Sequence, residues 1–363
     1  QWVLNSFLPP FPSEAYDRLF TNLLSGRHLS PVSAFLAVTG KCPYACWHCS
    51  YDKRDKQERP SEDWLAAIDE LHGLGASIIG FTGGEPFTRK DLPDLIRAAS
   101  EGGAATVVFT SGGLATPERI QELKDAGLWA LCVSLDTTDD ERHDTLRGRK
   151  GAFGKAVEAL RQSSDKGLYT MIGAVGTPEF VDTGEYERLH ILAGDLGVDE
   201  LRIVEAMPCG KLLGCDGDTL LNPEQVRSLR DFHVRMNRKG SRPKVCAFNQ
   251  IESPEIFGCG AGTQHMFIDA TGQVCPCDFT PLSFGRVGET PLAEAWERMN
   301  KAMINPRRKC FVQANRELIA ERVGDALPAP YDVSKDICAR TEYDGLPDFF
   351  IHVAGGVVGG EEQ

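Results

Sequence analysis

Six short β-branched or apolar runs recur along this chain: Ala34–Thr39, Ser77–Phe81, Thr106–Thr110, Ala130–Leu135, Tyr169–Val175 and Leu201–Val204. Segments with helical periodicity lie between them. A repeat of roughly 25 to 45 residues leaves room for one helix per strand, and such strand–helix–strand units close as right-handed crossovers onto a parallel sheet. Helix ends are legible too. Ser61 is placed to cap a helix carrying Trp64, Ile68 and Leu71 on one face, and Thr116–Pro117–Glu118 opens another that ends at Gly127. Six units make a partial (β/α)6 version of the eight-unit barrel, an α/β fold whose active face lies at the carboxyl ends of the strands.

After about residue 207 the alternation is expected to stop. A helix over Asn222–Asn237 leads into an irregular, cysteine-bearing region, and "HMFIDATGQVCPC" reads as a hairpin. Its strands fall near Met266–Ile268 and Gln273–Val274, and Gly272 supplies the positive φ of the turn. A helix around Leu292–Met303 follows. The expected organisation is an N-terminal segment (1–33), a core (34–206), a cysteine-bearing extension (207–325) and a tail (326–363) whose end, "AGGVVGGEEQ", reads as flexible.

Composition narrows the function classes. A net charge of −13 with no basic stripe argues against a nucleic-acid partner. Twelve cysteines in 363 residues, several of them grouped, point to metal ligation in a reducing compartment rather than to a disulfide framework. No apolar run reaches transmembrane length and no signal-peptide pattern is present, so the expected location is cytoplasmic. The chain opens on Gln1 rather than Met, which leaves membrane contact at the N-terminus open.

Directly after the first run, "TGKCPYACWHCSY" carries Cys42, Cys46 and Cys49 on one short loop. Three thiolates are one fewer than an iron–sulfur cubane normally takes, so one iron stays open to a substrate or cofactor. A zinc site is the alternative for such a triplet. The second run ends in "FTGGEPF", where Gly83 and Gly84 permit close backbone approach and Glu85 and Pro86 follow. The third ends in "TSGG" with Ser111, the fourth in "VSLD" with Ser134, and Arg147 follows in "RHDTLRGRKG".

In this order and spacing the motifs resemble the radical S-adenosylmethionine (SAM) superfamily over residues 34 to about 206. The resemblance implies a [4Fe–4S] cluster on Cys42, Cys46 and Cys49, with SAM on its open iron. It further implies that Gly83, Gly84, Glu85 and Pro86 bind the SAM amino group and that His48 stands where an aromatic residue stacks near adenine. Ser134 would meet the ribose or carboxylate, and the planar fork of Arg147 would pair the carboxylate. Ser111 replaces the usual Asn. A low-potential electron donor such as flavodoxin or ferredoxin is implied as partner.

Cys259–Cys277 reads C-x12-G-x4-C and resembles the first half of a SPASM or twitch extension, which binds auxiliary iron–sulfur clusters. "FVQ" after Cys310 breaks the two-cluster pattern, so the resemblance implies one auxiliary [4Fe–4S] cluster. Its expected ligands are Cys259, Cys277 and Cys310, with Cys246 as the fourth; Cys275 should point away along its strand. A structural zinc on the same cysteines is the alternative. Cys209 and Cys338 are candidate hydrogen-atom or proton donors, each weighed against an inert buried thiol.

The leading expectation is a radical SAM oxidoreductase. It cleaves SAM reductively, abstracts hydrogen from a small-molecule or peptide substrate, and uses the auxiliary cluster for oxidation or substrate binding. A redox-neutral epimerase or decarboxylase in a natural-product or tetrapyrrole pathway, and a non-catalytic iron–sulfur or zinc scaffold, stand as alternatives. About 33 residues precede the first strand and do not read as a leader-binding winged helix, which favours small molecules. Arg307, Arg308 and Lys309 are a candidate site for a substrate carboxylate, against a solvated surface run.

Overall fold

A computed structural model describes residues 2–25, 28–238, 240, 242–324 and 327–352. The six expected strands form: β1 (Ser33–Thr39), β2 (Ile78–Gly83), β3 (Ala105–Thr110), β4 (Ala130–Ser134), β5 (Tyr169–Gly176) and β6 (Glu200–Glu205). They pair in parallel and in chain order. Period-two alternation sorts their side chains. Leu36, Val38, Ile79, Phe81, Val108 and Leu131 join the large core packed by the helices, whereas Ile78, Val107, Cys132 and Met171 form the inner, concave cluster with Phe35 and Phe109. The guanidinium carbon of Arg202 on β6 lies 5.3 Å from the ring centre of Phe109 on β3. Three strands would separate them by about 14 Å in a flat sheet, so the contact across the hollow reflects the curl of a partial barrel.

The alternation does not stop at residue 207. The helix Pro223–Arg238 returns the chain to a seventh parallel strand, β7 (Lys244–Ala247), beside β6. The hairpin forms as β8 (His265–Ile268) and β9 (Gln273–Cys275), with β10 (Gly285–Arg286) beyond. It is not a separate sheet: β8 pairs in parallel with β1, giving one ten-stranded sheet in the order β10-β9-β8-β1-β2-β3-β4-β5-β6-β7. The auxiliary cysteines are thereby bound to the edge of the barrel.

Thr116 caps its helix as expected, its hydroxyl accepting from the Arg119 N–H at 3.3 Å. Ser61 does not. Pro60 occupies the cap position, and Ser61, the first helical residue, donates its hydroxyl to Asp91. Within the tail the helices Tyr331–Ala339 and Asp348–His352 are formed, and the segment read as flexible, 353–363, lies outside the described residues. At the other end, Ser6 donates its N–H (2.8 Å) and its hydroxyl to the buried carboxylate of Glu200, drawing the N-terminal segment to the barrel.

Candidate active site

The loop carrying Cys42, Cys46 and Cys49 is held by its backbone from several sides. Gly84 donates its N–H to Thr39 O and Glu85 donates to Lys41 O, both at 2.7 Å. Ala45 and Trp47 donate to Arg147 O and Leu146 O at 3.1 Å. After β6, Lys211 donates its backbone N–H to Cys49 O at 3.0 Å and its ammonium to Cys46 O at 2.7 Å. Two glycines make this clasp sterically possible. A Cβ on Gly84 would strike the Lys41 carbonyl, and one on Gly210 (φ 55°) would strike the Cys49 carbonyl. The glycines of "GGEP" thus serve first to bring β2 against the cysteine loop.

Glu85 is 1% exposed, and its carboxylate is fully engaged inside the protein. It accepts from Thr110 Oγ1 (2.7 Å), Ser111 N–H (2.8 Å), Ser111 Oγ (2.5 Å) and Phe87 N–H (3.2 Å). The residue that replaces the family's Asn is therefore Glu85's partner, and Pro86 starts the buried 3-10 turn that seats this carboxylate. The Glu85 carboxylate is therefore committed within the protein rather than to a ligand, and the Glu85 carbonyl is likewise taken by the Thr88 N–H (3.0 Å) and hydroxyl (2.7 Å).

Arg147 is also committed. Its Nε lies 2.8 Å from Asp136 Oδ2, its Nη2 donates to Asp136 Oδ1 at 2.8 Å, and Nη1 reaches Cys46 Sγ at 3.8 Å. The expected fork for a SAM carboxylate is closed on Asp136, and the remaining nitrogen faces a cysteine of the loop. His48 is pushed down to about 4, by burial first and then by the Arg147 charge, so its ring is neutral at physiological pH. His48 Nδ1 is buried without a partner. A neutral ring with an orphaned nitrogen in a ligand cavity fits stacking against a bound base.

Three free thiols on one loop, with Cys46 and Cys49 acting electrostatically on Cys42 and Cys46 on Cys49, fit a three-thiolate cluster. Burial pushes Cys42 up to about 11 and raises Cys49 as well, so cluster assembly must release protons from this loop. A second group of thiols stands in the same cavity, which measures about 380 Å³. The Cys310 thiol and the Phe311 N–H (3.5 Å) hydrogen-bond to Cys259 Sγ, and the first of these is the main cause that lowers Cys259 below the ordinary thiol range. Cys277 Sγ lies with His265 and Asp278, their ligand atoms all within 4.8 Å of one another. Three thiols on one cavity wall, one of them held by hydrogen bonds from its neighbours, fit a second cluster.

Cys246 does not join them. It lies on β7, opposite Arg202, with its thiol among Ser6, Glu200 and Arg202. The unforeseen seventh strand removes it from the irregular region in which it would have been a ligand. Cys275 points away from Cys277 as the strand period requires, toward Arg54 Nη1 at 3.6 Å. Cys209 lines the cavity and is pushed up to about 12 by burial. Cys338 is packed in the main core on the helix Tyr331–Ala339, away from the cavity, so it is no donor to a bound substrate. The two arginines of the basic run are likewise spent elsewhere: Arg307 binds Glu342 O at 2.6 Å and Arg308 pairs with Asp348 at 2.7 Å.

Sequence reasoning missed His265 and Asp278. Ser33 Oγ lies 2.7 Å from His265 Nδ1, and His265 Nε2 lies 2.8 Å from Asp278 Oδ2, beside Cys277 on the cavity wall. The available signal was the hairpin itself, which folds the residue after Cys277 back onto the entry of β8.

Residues 36–187 match the radical SAM superfamily, and residues 259–318 match SPASM, an iron–sulfur cluster-binding domain. The chain belongs to the radical SAM superfamily. The radical SAM domain implies a [4Fe–4S] cluster and SAM, and the SPASM domain implies a further iron–sulfur cluster. Among curated relatives, the AdoMet-dependent heme synthase of Nitratidesulfovibrio vulgaris is 28% identical over 295 residues, covering 74% of this chain and 80% of that protein. The PqqA peptide cyclase of Ruegeria pomeroyi is 28% identical over 282 residues, covering 74% of each. The solved structure of anSMEcpe with bound AdoMet and the Kp18Cys peptide superposes with a TM-score of 0.61 at 16% identity, covering 90% of this chain and 100% of that one. That likeness is one of fold. No described helix is long and apolar enough to cross a membrane.

Proposed function

We propose that this radical SAM enzyme is an oxidoreductase acting on a small-molecule or peptide substrate held between two clusters. One observation carries the reading: Cys42, Cys46 and Cys49 line the same cavity as Cys259, Cys277 and Cys310. When bound, a [4Fe–4S] cluster on the first three, with SAM, supplies a 5'-deoxyadenosyl radical that takes a hydrogen atom from the substrate. The remaining work belongs to the chain. Backbone carbonyls of Gly83 and Gly84 would receive the SAM ammonium, with the Glu85 carboxylate fixing their position through Thr110 and Ser111. His48 offers a neutral face to the adenine, Ser134 at the end of β4 offers a hydroxyl, and Arg147 holds its charge beside Cys46.

Cys259, Cys277 and Cys310 would hold one auxiliary cluster, and its place on the cavity wall suits electron acceptance from a substrate-derived radical. His265, oriented by Ser33 and Asp278, is available there for substrate hydrogen bonding. The named activities of the relatives, a heme synthase and a peptide cyclase, keep tetrapyrroles and peptides both within the substrate class. Twelve free cysteines suit a cytoplasmic location, where flavodoxin or ferredoxin would deliver the electron.

The test is anaerobic reconstitution with iron and sulfide, reduction with dithionite in the presence of SAM, and an assay for 5'-deoxyadenosine. Formation by the parent and loss in a Cys42/Cys46/Cys49→Ala variant supports the reading. A fully loaded parent that forms none contradicts it.

A further inference from the structure

Among the described residues, Arg202 is a buried cation with no counter-ion in contact. It projects from β6 into the hollow of the barrel and is 6% exposed. Its guanidinium carbon lies 4.3 Å from the ring centre of Phe248 and 5.3 Å from that of Phe109. One of its N–H groups donates to Ser6 Oγ at 2.9 Å. Among the described residues, no carboxylate stands within ion-pair distance and no other hydrogen-bond partner is present.

The carboxylates whose fields reach it are held apart. Glu200 is occupied by Ser6 N–H, by the Ser6 hydroxyl and by the Tyr169 hydroxyl at 2.9 Å. Glu252 acts on Arg202 electrostatically without touching it. A desolvated guanidinium is costly unless paired, and an arginine carries five donors in a planar fork, most of which are unspent here. Ser6, Phe109, Arg202 and Phe248 all line the cavity that holds both groups of cysteines.

We propose that Arg202 anchors a carboxylate of the substrate. The inference rests on the reading of this cavity as the reaction chamber. The guanidinium fork matches the two oxygens of a carboxylate, the Phe109 and Phe248 rings shield the pair from water, and Ser6 fixes the fork's orientation. The position favours substrate over the methionyl carboxylate of SAM. The SAM motifs lie at the carboxyl ends of β2, β3 and β4, whereas Arg202 stands on β6, in register with Ser134 through Gly173 but two strand spacings, roughly 10 Å, further around the sheet. A carboxylate seated there fixes which C–H bond of the attached chain faces the cysteine loop.

The probe is [13C]propionate, the simplest carboxylate with a two-carbon alkyl chain, titrated onto the anaerobically reconstituted, SAM-loaded protein. Binding is read by 13C line broadening, with SAM affinity followed by equilibrium dialysis and iron counted in every variant. The parent should show saturable binding. Arg202→Met should weaken it by about tenfold or more, Arg202→Lys less, and Ser6→Ala least, with SAM affinity unchanged. Absence of saturable binding in the parent, or undiminished binding in Arg202→Met, overturns the proposal. Loss of SAM affinity with propionate retained also overturns it and assigns Arg202 to SAM's own carboxylate. Should Arg202→Met fail to hold its iron, Arg202→Lys and Ser6→Ala carry the comparison. The readout needs no SAM cleavage, so inactivity toward SAM and failure of this anchor are separate results.

Discussion

Arg54 and Asp269 form an ion pair at 3.3 Å with side chains 2% and 1% exposed, joining the chain just after Cys49 to the turn of the SPASM hairpin. Asp269 Oδ1 also accepts from the N–H groups of Thr271 and Gln273 at 3.0 Å, and the Ala270 N–H donates to the Tyr51 hydroxyl at 2.9 Å. The hairpin that carries Cys277 is therefore locked to the loop that carries Cys49. Removing one charge leaves the other buried and unpaired. Arg54→Met and Asp269→Asn are each expected to destabilise the apo-protein by about 3–5 kcal/mol, and the double variant by less than the sum. Urea denaturation of the four proteins measures the coupling; strict additivity would contradict it.

Replacing Glu85 by Gln turns one acceptor oxygen into a donor that faces the N–H and hydroxyl of Ser111. The misplaced hydrogen bond should loosen the backbone of 83–85 without touching a cysteine. SAM affinity is expected to fall roughly tenfold, equivalent to about 1.4 kcal/mol, with iron content unchanged. Equilibrium dialysis with labelled SAM checks this, and unaltered affinity would show that the carboxylate is dispensable.

Gly210 and Gly151 both have positive φ, 55° and 80°, but only Gly210 abuts the cysteine loop. Alanine at either position carries backbone strain of about 1 kcal/mol. At Gly210 the new Cβ must also push Cys49 aside. Gly210→Ala should therefore lose about four irons, the content of one cluster, while Gly151→Ala keeps them. Equal iron content in the two variants would contradict the clasp.

His48 and His143 are both held down to about 4, burial being the first cause for each, against an ordinary value near 6.5. In the unfolded chain they take up protons at a higher pH than in the folded one. Their contribution to stability is thus complete above about pH 6.5 and lost as pH falls toward 4. By pH 5.5 each should cost the apo-protein about 1 kcal/mol. Denaturation midpoints at pH 7.5 and 5.5 measure the effect, and His48→Phe should remove its share of the pH dependence.

The parallel strands were legible because β-branched runs at barrel spacing have few other solutions, and the triplet and "GGEP" were legible because both lie contiguously in sequence. β7 was not. At four residues, preceded by the charged and Pro-bearing stretch "RKGSRP", it offers no run long enough to show period two. That omission displaced Cys246 from the barrel to the auxiliary site. Contacts between distant positions were equally hidden: Ser6 and Arg202 meet across 196 residues, and nothing local marks Arg202 as facing a hollow. The fork of Arg147 was expected to face a ligand, but Asp136, eleven residues earlier at the exit of β4, had already taken it.

The most direct test of the central claim, one cavity with a SAM-binding cluster at Cys42, Cys46 and Cys49 and a second cluster at Cys259, Cys277 and Cys310, is electron paramagnetic resonance of the dithionite-reduced protein with and without SAM. SAM should change the spectrum of the parent and of a Cys259/Cys277/Cys310→Ala variant, and leave that of a Cys42/Cys46/Cys49→Ala variant unchanged. A parent spectrum indifferent to SAM, or a SAM response that survives loss of the first three cysteines, would contradict the account.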